Sequence, residues 1–154
     1  MADPSHRKRV FARSIYNLAS TPVKVSKVNK GLAAHLKYCY GACVKGSHHL
    51  PASELSNKVY NILEHICGIH DACNVAWCYE LTAKEKNKVC NPPKDHRISK
   101  EDLATYQQLK KIFDQYACID QMAYCNHPFD MQTNESLNTA IALLHPNILA
   151  TLVQ

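Results

Sequence analysis

The densest group of potential metal ligands lies between residues 65 and 78. Residues 65–78 read H-I-C-G-I-H-D-A-C-N-V-A-W-C and supply five cysteine or histidine side chains. Neutral imidazole and thiolate are the donors that zinc prefers, and a site closed by four protein ligands is structural rather than catalytic. We predict that His65, His70, Cys73 and Cys78 bind one zinc ion, with Cys67 as the main substitute. The spacing H-x4-H-x2-C-x4-C differs from that of the standard zinc fingers, and the alternative is that these are core and loop residues.

The remaining cysteines are better explained as packing residues. Cys39 and Cys43 are four positions apart and share an apolar helical stripe with Leu32 and Leu36, which favours burial over a second metal site. Cys118 and Cys125 are predicted to be buried thiols, and Cys90 lies in a loop without an assigned role.

Two acidic residues stand in contexts that allow either capping or metal chemistry. Glu135 lies in a polar segment, residues 127–138, where Thr133 and Asn134 can cap a helix. Its carboxylate suits the first turn of that helix, but it could also hold a divalent cation together with a distant carboxylate, as in two-metal phosphoryl transfer. Asp3 precedes Pro4 and a basic helix, and an N-cap role is sufficient to explain it.

The elements that would position these residues are helices. Apolar spacing predicts one helix from Asp3-Pro4 to about Ser20 and a second capped by Ser26. Further helices are predicted from a Ser53 cap to Gly68, from the Ser99-x-x-Asp102 capping box, and from about 134 to 144. Residues 67–98 read as mostly irregular, which is long for a loop unless a metal organises it. Since no segment alternates with period two, the chain is predicted to be mainly α.

Composition and charge limit the classes of protein. The 154 residues are 46% hydrophobic and 20% charged, as in a globular chain of one or two small domains. No apolar run reaches the roughly 18 residues of a transmembrane helix, and the basic N-terminus does not read as a secretory signal, so we expect a reducing compartment and no membrane partner. The net charge of +5 favours an anionic partner, nucleic acid first. The candidate phosphate contacts are Arg7, Lys8, Arg9, Arg13, Lys24, Lys27 and Lys30.

Three segments together resemble the later part of a Mutator-like transposase, a DDE-type enzyme of the RNase H-like superfamily. They are Asp3-Pro4-Ser5-His6 before the basic helix, the His65 to Cys78 cluster ending in Trp77-Cys78, and Asn134-Glu135-Ser136-Leu137-Asn138 after His127-Pro128-Phe129-Asp130. The resemblance extends from Asp3 to about Ile141. It implies that Asp3 and Glu135 are the second and third acids of a trio that binds two Mg²⁺ or Mn²⁺ ions for DNA strand cleavage and transfer. It also implies a nuclear location.

The resemblance further implies a division of the chain. Residues 1–20 would be a basic helix at the edge of a catalytic core, 21–125 a helical insertion with the Cys/His cluster, 126–145 a core-type helix, and 146–154 an apolar tail. The core strands and the first acid would lie upstream of Asp3, and the expected continuation after Ile141 differs here. We therefore expect a fragment that binds DNA but is catalytically inactive.

Two other hypotheses remain open. The chain could be a stand-alone zinc-stabilised helical module that binds DNA or protein, with Glu135 only a first-turn residue. It could also be an orphan helical protein with neither metal nor nucleic acid.

Overall fold

A computed structural model describes residues 4–21, 26–90, 96–99 and 101–125 of the chain. Within these ranges the regular elements are all helices, so the predicted mainly α fold is confirmed. They are α1 (Pro4–Ser20), α2 (Lys30–Ser47), α3 (Ala52–Ile66), α4 (Tyr79–Glu85), α5 (Leu103–Tyr116) and α6 (Ile119–Ala123). The predicted last helix, with Thr133, Asn134 and Glu135, lies outside the described residues, as do Asp3 and Lys24.

Helices α1 and α2 pack along their lengths through an aromatic contact. The rings of Phe11 and Tyr40 stack with centroids 4.1 Å apart, and both side chains are fully buried. Gly41 of α2 leaves room for the end of the Lys8 side chain of α1: a Cβ on Gly41 would lie 2.6 Å from Cε of Lys8. The basic helix α1 therefore shares the core of the helices that follow it.

Helix α2 begins three residues later than a Ser26 cap would place it. Asn29 is the N-cap, and its Oδ1 accepts a hydrogen bond from the Leu32 amide at 2.8 Å. An Asn side chain in extended backbone satisfies one of the free amides of the first turn. Val28 is buried as its place in the apolar pattern predicted, but it precedes the helix.

Helices α3, α5 and α6 close the core around a buried polar contact. The Ser56 hydroxyl on α3 donates to the carbonyl oxygen of Ala117, at the end of α5, over 2.7 Å. Phe113 of α5 meets Phe11 of α1 edge to face, with centroids 5.2 Å apart. Cys39, Cys43 and Cys125 are buried, as predicted, while Cys118 is half-buried.

Two other predicted helix starts, those of α5 and α3, also need correction. Asp102, not Ser99, is the N-cap of α5: its Oδ1 accepts from the Thr105 amide at 3.2 Å. Helix α3 starts at Ala52, with Pro51 as its N-cap residue and no side-chain cap bond from Ser53. In both cases the cap lies one turn or less from the predicted position.

The segment predicted to be irregular contains one short helix that the sequence analysis missed, α4. Its seven residues are too few for a clear helical stripe. The chain then returns to the core at Ile98, whose amide donates to the Ile66 carbonyl at 2.9 Å. None of the described helices is long and apolar enough to cross a membrane.

Candidate metal centre

The centre is built on a chain reversal at the end of α3. The Gly68 amide donates to the His65 carbonyl at 2.9 Å, and the Ile69 amide donates to the Glu64 carbonyl at 3.0 Å. This pair of bonds is a Schellman motif, which needs a left-handed residue at its turn. Gly68 fills that position with φ +83°. The reversal brings His70 back over His65, on the last turn of the helix.

A second turn returns the two cysteines to the same place. The Asn74 carbonyl accepts from the amides of Trp77 and Cys78, at 3.2 and 2.9 Å. The Asn74 side chain also accepts from the Ala76 amide at 2.8 Å. Asn74 thus closes the loop between Cys73 and Cys78, and Cys78 becomes the N-cap residue of α4.

The four predicted ligands converge on one point. One ligand atom from each of His65, His70, Cys73 and Cys78 lies within 4.8 Å of the other three. Nδ1 of His65 is 3.1 Å from Nδ1 of His70 and 3.4 Å from Sγ of Cys73. Sγ of Cys78 is 3.4 Å from Nδ1 of His70. This cluster, which we call the metal centre, can hold a metal ion, and Cys67 is not among its members.

Burial keeps two groups of the metal centre, His65 and Cys73, uncharged. Burial first, and then the neighbouring His35 and His70, lowers the pKa of His65 to about 3. Burial, followed by the nearby Cys78, raises the pKa of Cys73 to about 12. The imidazole is therefore ready to bind a cation at neutral pH, whereas the Cys73 thiol must release a proton when a metal binds.

The outer nitrogens of the two histidines face other polar groups. Nε2 of His65 lies 3.0 Å from Nε2 of His35, on α2. Nε2 of His70 lies 3.2 Å from a carboxylate oxygen of Glu80, although the contact lacks the alignment of a hydrogen bond. Arg97 pairs with the same carboxylate. Trp77 covers His65 edge to face, with ring centroids 5.0 Å apart.

Sequence reasoning missed His35 and Glu80. His35 is 3% exposed on the same stripe as Leu32, Leu36 and Cys39. A histidine four residues before a cysteine on an otherwise apolar face was a signal for a polar contact within the core. Glu80 gave no such signal, since its position follows from the unpredicted helix α4.

The predicted phosphate contacts separate into three groups. Arg9, Arg13 and Lys30 are exposed, and Lys8 is half-buried against Gly41. Lys27 is exposed and lies 3.4 Å from Asp102. Arg7 is 8% exposed, with its guanidinium hydrogen-bonded to Gln121 and 5.1 Å from the centre of the Tyr124 ring. The structure therefore gives Arg7 an internal packing role.

The chain matches no protein-family model, no curated protein and no solved structure. The metal centre and the surface charge are therefore the observations on which a function has to be proposed.

Proposed function

We propose that this chain is a zinc-stabilised helical module. The observation that carries the proposal is the geometry of the metal centre. Tetrahedral zinc with bonds of about 2.05 Å to nitrogen and 2.3 Å to sulfur sets its ligands roughly 3.3 Å (N to N) and 3.6 Å (N to S) apart. The observed separations are 3.1 Å for the two nitrogens and 3.4, 3.7 and 3.4 Å for the nitrogen–sulfur pairs.

The donor set favours zinc and a structural role. Two thiols and two imidazoles are the soft and borderline ligands typical of tetrahedral zinc, whereas magnesium and calcium require oxygen. All four positions come from the protein, so none is left for a reacting water. The ion would hold the loop of residues 67–78 against α3, where backbone hydrogen bonds alone close three short turns.

Removal of the ion should therefore melt part of the fold. We expect one zinc per chain by native mass spectrometry, and a loss of helical circular dichroism and of thermal stability after chelation. Cys73→Ser should abolish stoichiometric binding, whereas Cys118→Ser, at a half-buried thiol outside the centre, should not. Equal zinc content in the two variants, or no zinc in the wild type, would exclude this site.

Charge asymmetry favours nucleic acid as the partner. Residues 1–50 hold nine of the 18 Lys and Arg residues but only one of the 13 acidic residues. Helices α1 and α2 contain neither Asp nor Glu. Since these two helices pack together, the positive charge is concentrated on one part of the molecule, where it can attract a polyanion.

The row of cations is clearest along α2. Lys30, Lys37 and Lys45 are exposed at helical spacing, and the Lys8 side chain lies across Gly41 between the last two. Within the part of the chain that the structure describes, no acidic group lies within salt-bridge distance of these lysines. We call Lys8, Lys30, Lys37 and Lys45 the lysine row and propose that it contacts phosphates of a nucleic acid duplex, without reading bases.

Salt dependence tests this interaction. Binding of a random-sequence DNA duplex should weaken steeply as the salt concentration rises. Lys37→Gln and Lys45→Gln should each reduce the slope of log affinity against log salt concentration by about one, the value for one lost phosphate contact. Lys111→Gln on α5 is the matched control, because it removes an exposed charge outside the row. Binding that is insensitive to salt, or equally weakened by Lys111→Gln, would contradict the proposal.

As to origin, we propose that the module is a fragment of a Mutator-like transposase. The module would be located in the nucleus and would be catalytically inactive. Support comes from the motifs quoted above and from a Cys/His cluster set among helices, as an insertion in such an enzyme would have. Asp3 and Glu135, the proposed ligands of Mg²⁺ or Mn²⁺, lie outside the described residues. Metal-dependent DNA nicking by the purified chain, lost on Glu135→Ala, would refute the inactivity.

A further inference from the structure

A buried chain of polar contacts connects helix α2 to the metal centre. Nε2 of His35 lies 3.0 Å from Nε2 of His65, while the opposite nitrogen of His65, Nδ1, faces the metal centre. Both residues are almost completely buried, at 3% and 5% exposure. Their contact joins residues 30 positions apart and is therefore a tertiary contact rather than a property of one helix.

His35 is itself held from several sides. Sγ of Cys39, one turn further along α2, lies 3.5 Å from Nε2 of His35. The His96 ring stacks on His35 with centroids 4.4 Å apart and planes 12° apart, and the Tyr79 ring packs at 5.2 Å. A ring packed in this way has little freedom to turn, so the direction of its nitrogen toward His65 is fixed.

Metal binding determines which atoms carry protons along this chain. When Nδ1 of His65 binds a cation, its remaining ring proton must be on Nε2. Nε2 of His65 then donates, and Nε2 of His35 accepts. Such an outer hydrogen bond fixes the tautomer and the ring orientation of a metal ligand, and its loss typically lowers metal affinity 10- to 100-fold.

We propose that His35 is a positioning residue for the metal centre, which acts through His65 without binding the ion. This inference rests on the proposed zinc site and adds to it a link from the metal to the core helix α2. Glu80 lies at the equivalent outer position of His70. Each metal-binding histidine would then have its outer nitrogen directed at a group from a different helix.

Three substitutions separate positioning from general stability. His35→Leu keeps the volume and the apolar setting but removes the acceptor, and we expect zinc affinity to fall 10- to 100-fold. His35→Gln retains an oxygen that can accept from His65 and should restore most of this loss. Val44→Ala, at a buried position farther along α2, should lower the melting temperature while zinc affinity stays within a few-fold of the wild type.

Cobalt provides a readout that a packing defect would not change. Bound Co²⁺ absorbs in the visible region according to the geometry of its ligands, so His35→Leu should shift the bands and Val44→Ala should not. If wild type binds one Co²⁺ and His35→Leu matches it in affinity and spectrum, His35 has no positioning role, although the zinc site stands. If wild type binds no metal, the zinc proposal itself fails.

A second outcome would also overturn the positioning role. His35, Cys39 and His65 also place ligand atoms within 4.8 Å of one another. If wild type binds two ions and Cys39→Ser binds one, His35 and Cys39 are themselves ligands, and His65 bridges two metals. One ion in both proteins is the result expected for positioning.

Discussion

The glycine at the end of α3 provides the sharpest test of how the metal centre is assembled. Gly68 has φ +83°, and a Cβ built on it would meet nothing within 4 Å. The effect of Gly68→Ala is therefore purely conformational. Placing an L-residue in the left-handed region costs about 1 kcal/mol or slightly more. For a chain of this size that corresponds to a drop of roughly 4 °C in melting temperature.

A matched control exists in the same molecule. Gly46 lies within helix α2, also has open space around its Cα, and has no positive φ. Gly46→Ala should stabilise the protein by roughly 0.5–1 kcal/mol, because alanine loses less backbone entropy in a helix. The same substitution is thus expected to act in opposite directions at the two sites, with a difference of about 1.5–2 kcal/mol.

Zinc titration shows whether the strain in Gly68→Ala is present only in the metal-bound protein or also in the metal-free protein. If the metal-free loop leaves the left-handed turn, the strain arises on binding, and about 1 kcal/mol weakens zinc affinity by roughly fivefold. If the loop keeps this turn without metal, affinity is unchanged and only stability falls. Gly68→Asn should recover part of the loss, since asparagine tolerates this region. Equal effects of Gly68→Ala and Gly46→Ala on stability would refute the assignment of the turn.

Two further predictions follow from buried groups. Burial, and after it His96, lowers the pKa of His35 to about 4, and that of His65 falls to about 3. Both values lie below the unfolded value of about 6.5, so below that pH the unfolded chain binds more protons than the folded chain. The contribution of these two histidines to stability should therefore be complete above pH 6.5, and the metal-free protein should lose it progressively toward pH 3. Thermal unfolding in chelator should show this fall, and an unchanged melting temperature down to pH 4 would contradict it. Separately, Ser56→Ala should lower the free energy of unfolding, measured with urea, by about 1–2 kcal/mol, because it leaves the Ala117 carbonyl without its donor. Ser53→Ala is the control: this exposed serine makes no cap bond, so its replacement should leave the free energy of unfolding unchanged.

The sequence predicted a helix wherever its apolar pattern was long enough to show a helical period. The apolar stripes of α1, α2, α3 and α5 repeat over 14 to 18 residues, and the sequence located all four helices. Their starts were less certain, because several cap residues compete locally. Ser26 and Asn29 are both good caps, and tertiary contacts between them accompany the choice of Asn29: Val28 is buried, and the Lys27 amide donates to Oγ1 of Thr105 at 2.8 Å. The short helix α4 had too few residues to show a period.

The metal centre was predictable for a related reason. Its four residues lie within one short segment, so chain geometry alone limits how far apart they can be. His35 lies 30 residues away from His65, and nothing in the sequence indicates that α2 crosses the end of α3 at this point. Contacts of this kind depend on how helices cross, which helical periodicity does not encode.

Helix α2 connects the two parts of the proposed function. Its buried face carries His35 against the metal centre, while its exposed face carries Lys30, Lys37 and Lys45. Since a helix moves as a unit, a shift of its buried face on metal release would also displace the lysine row. Chelation should then weaken DNA binding without any change in net protein charge. In His35→Leu, which lacks the link between α2 and the metal centre, chelation should reduce DNA affinity by a smaller factor than in the wild type. DNA affinity that survives chelation unchanged would instead mean that packing against α1, through Phe11 and Tyr40, holds α2 in place without the metal.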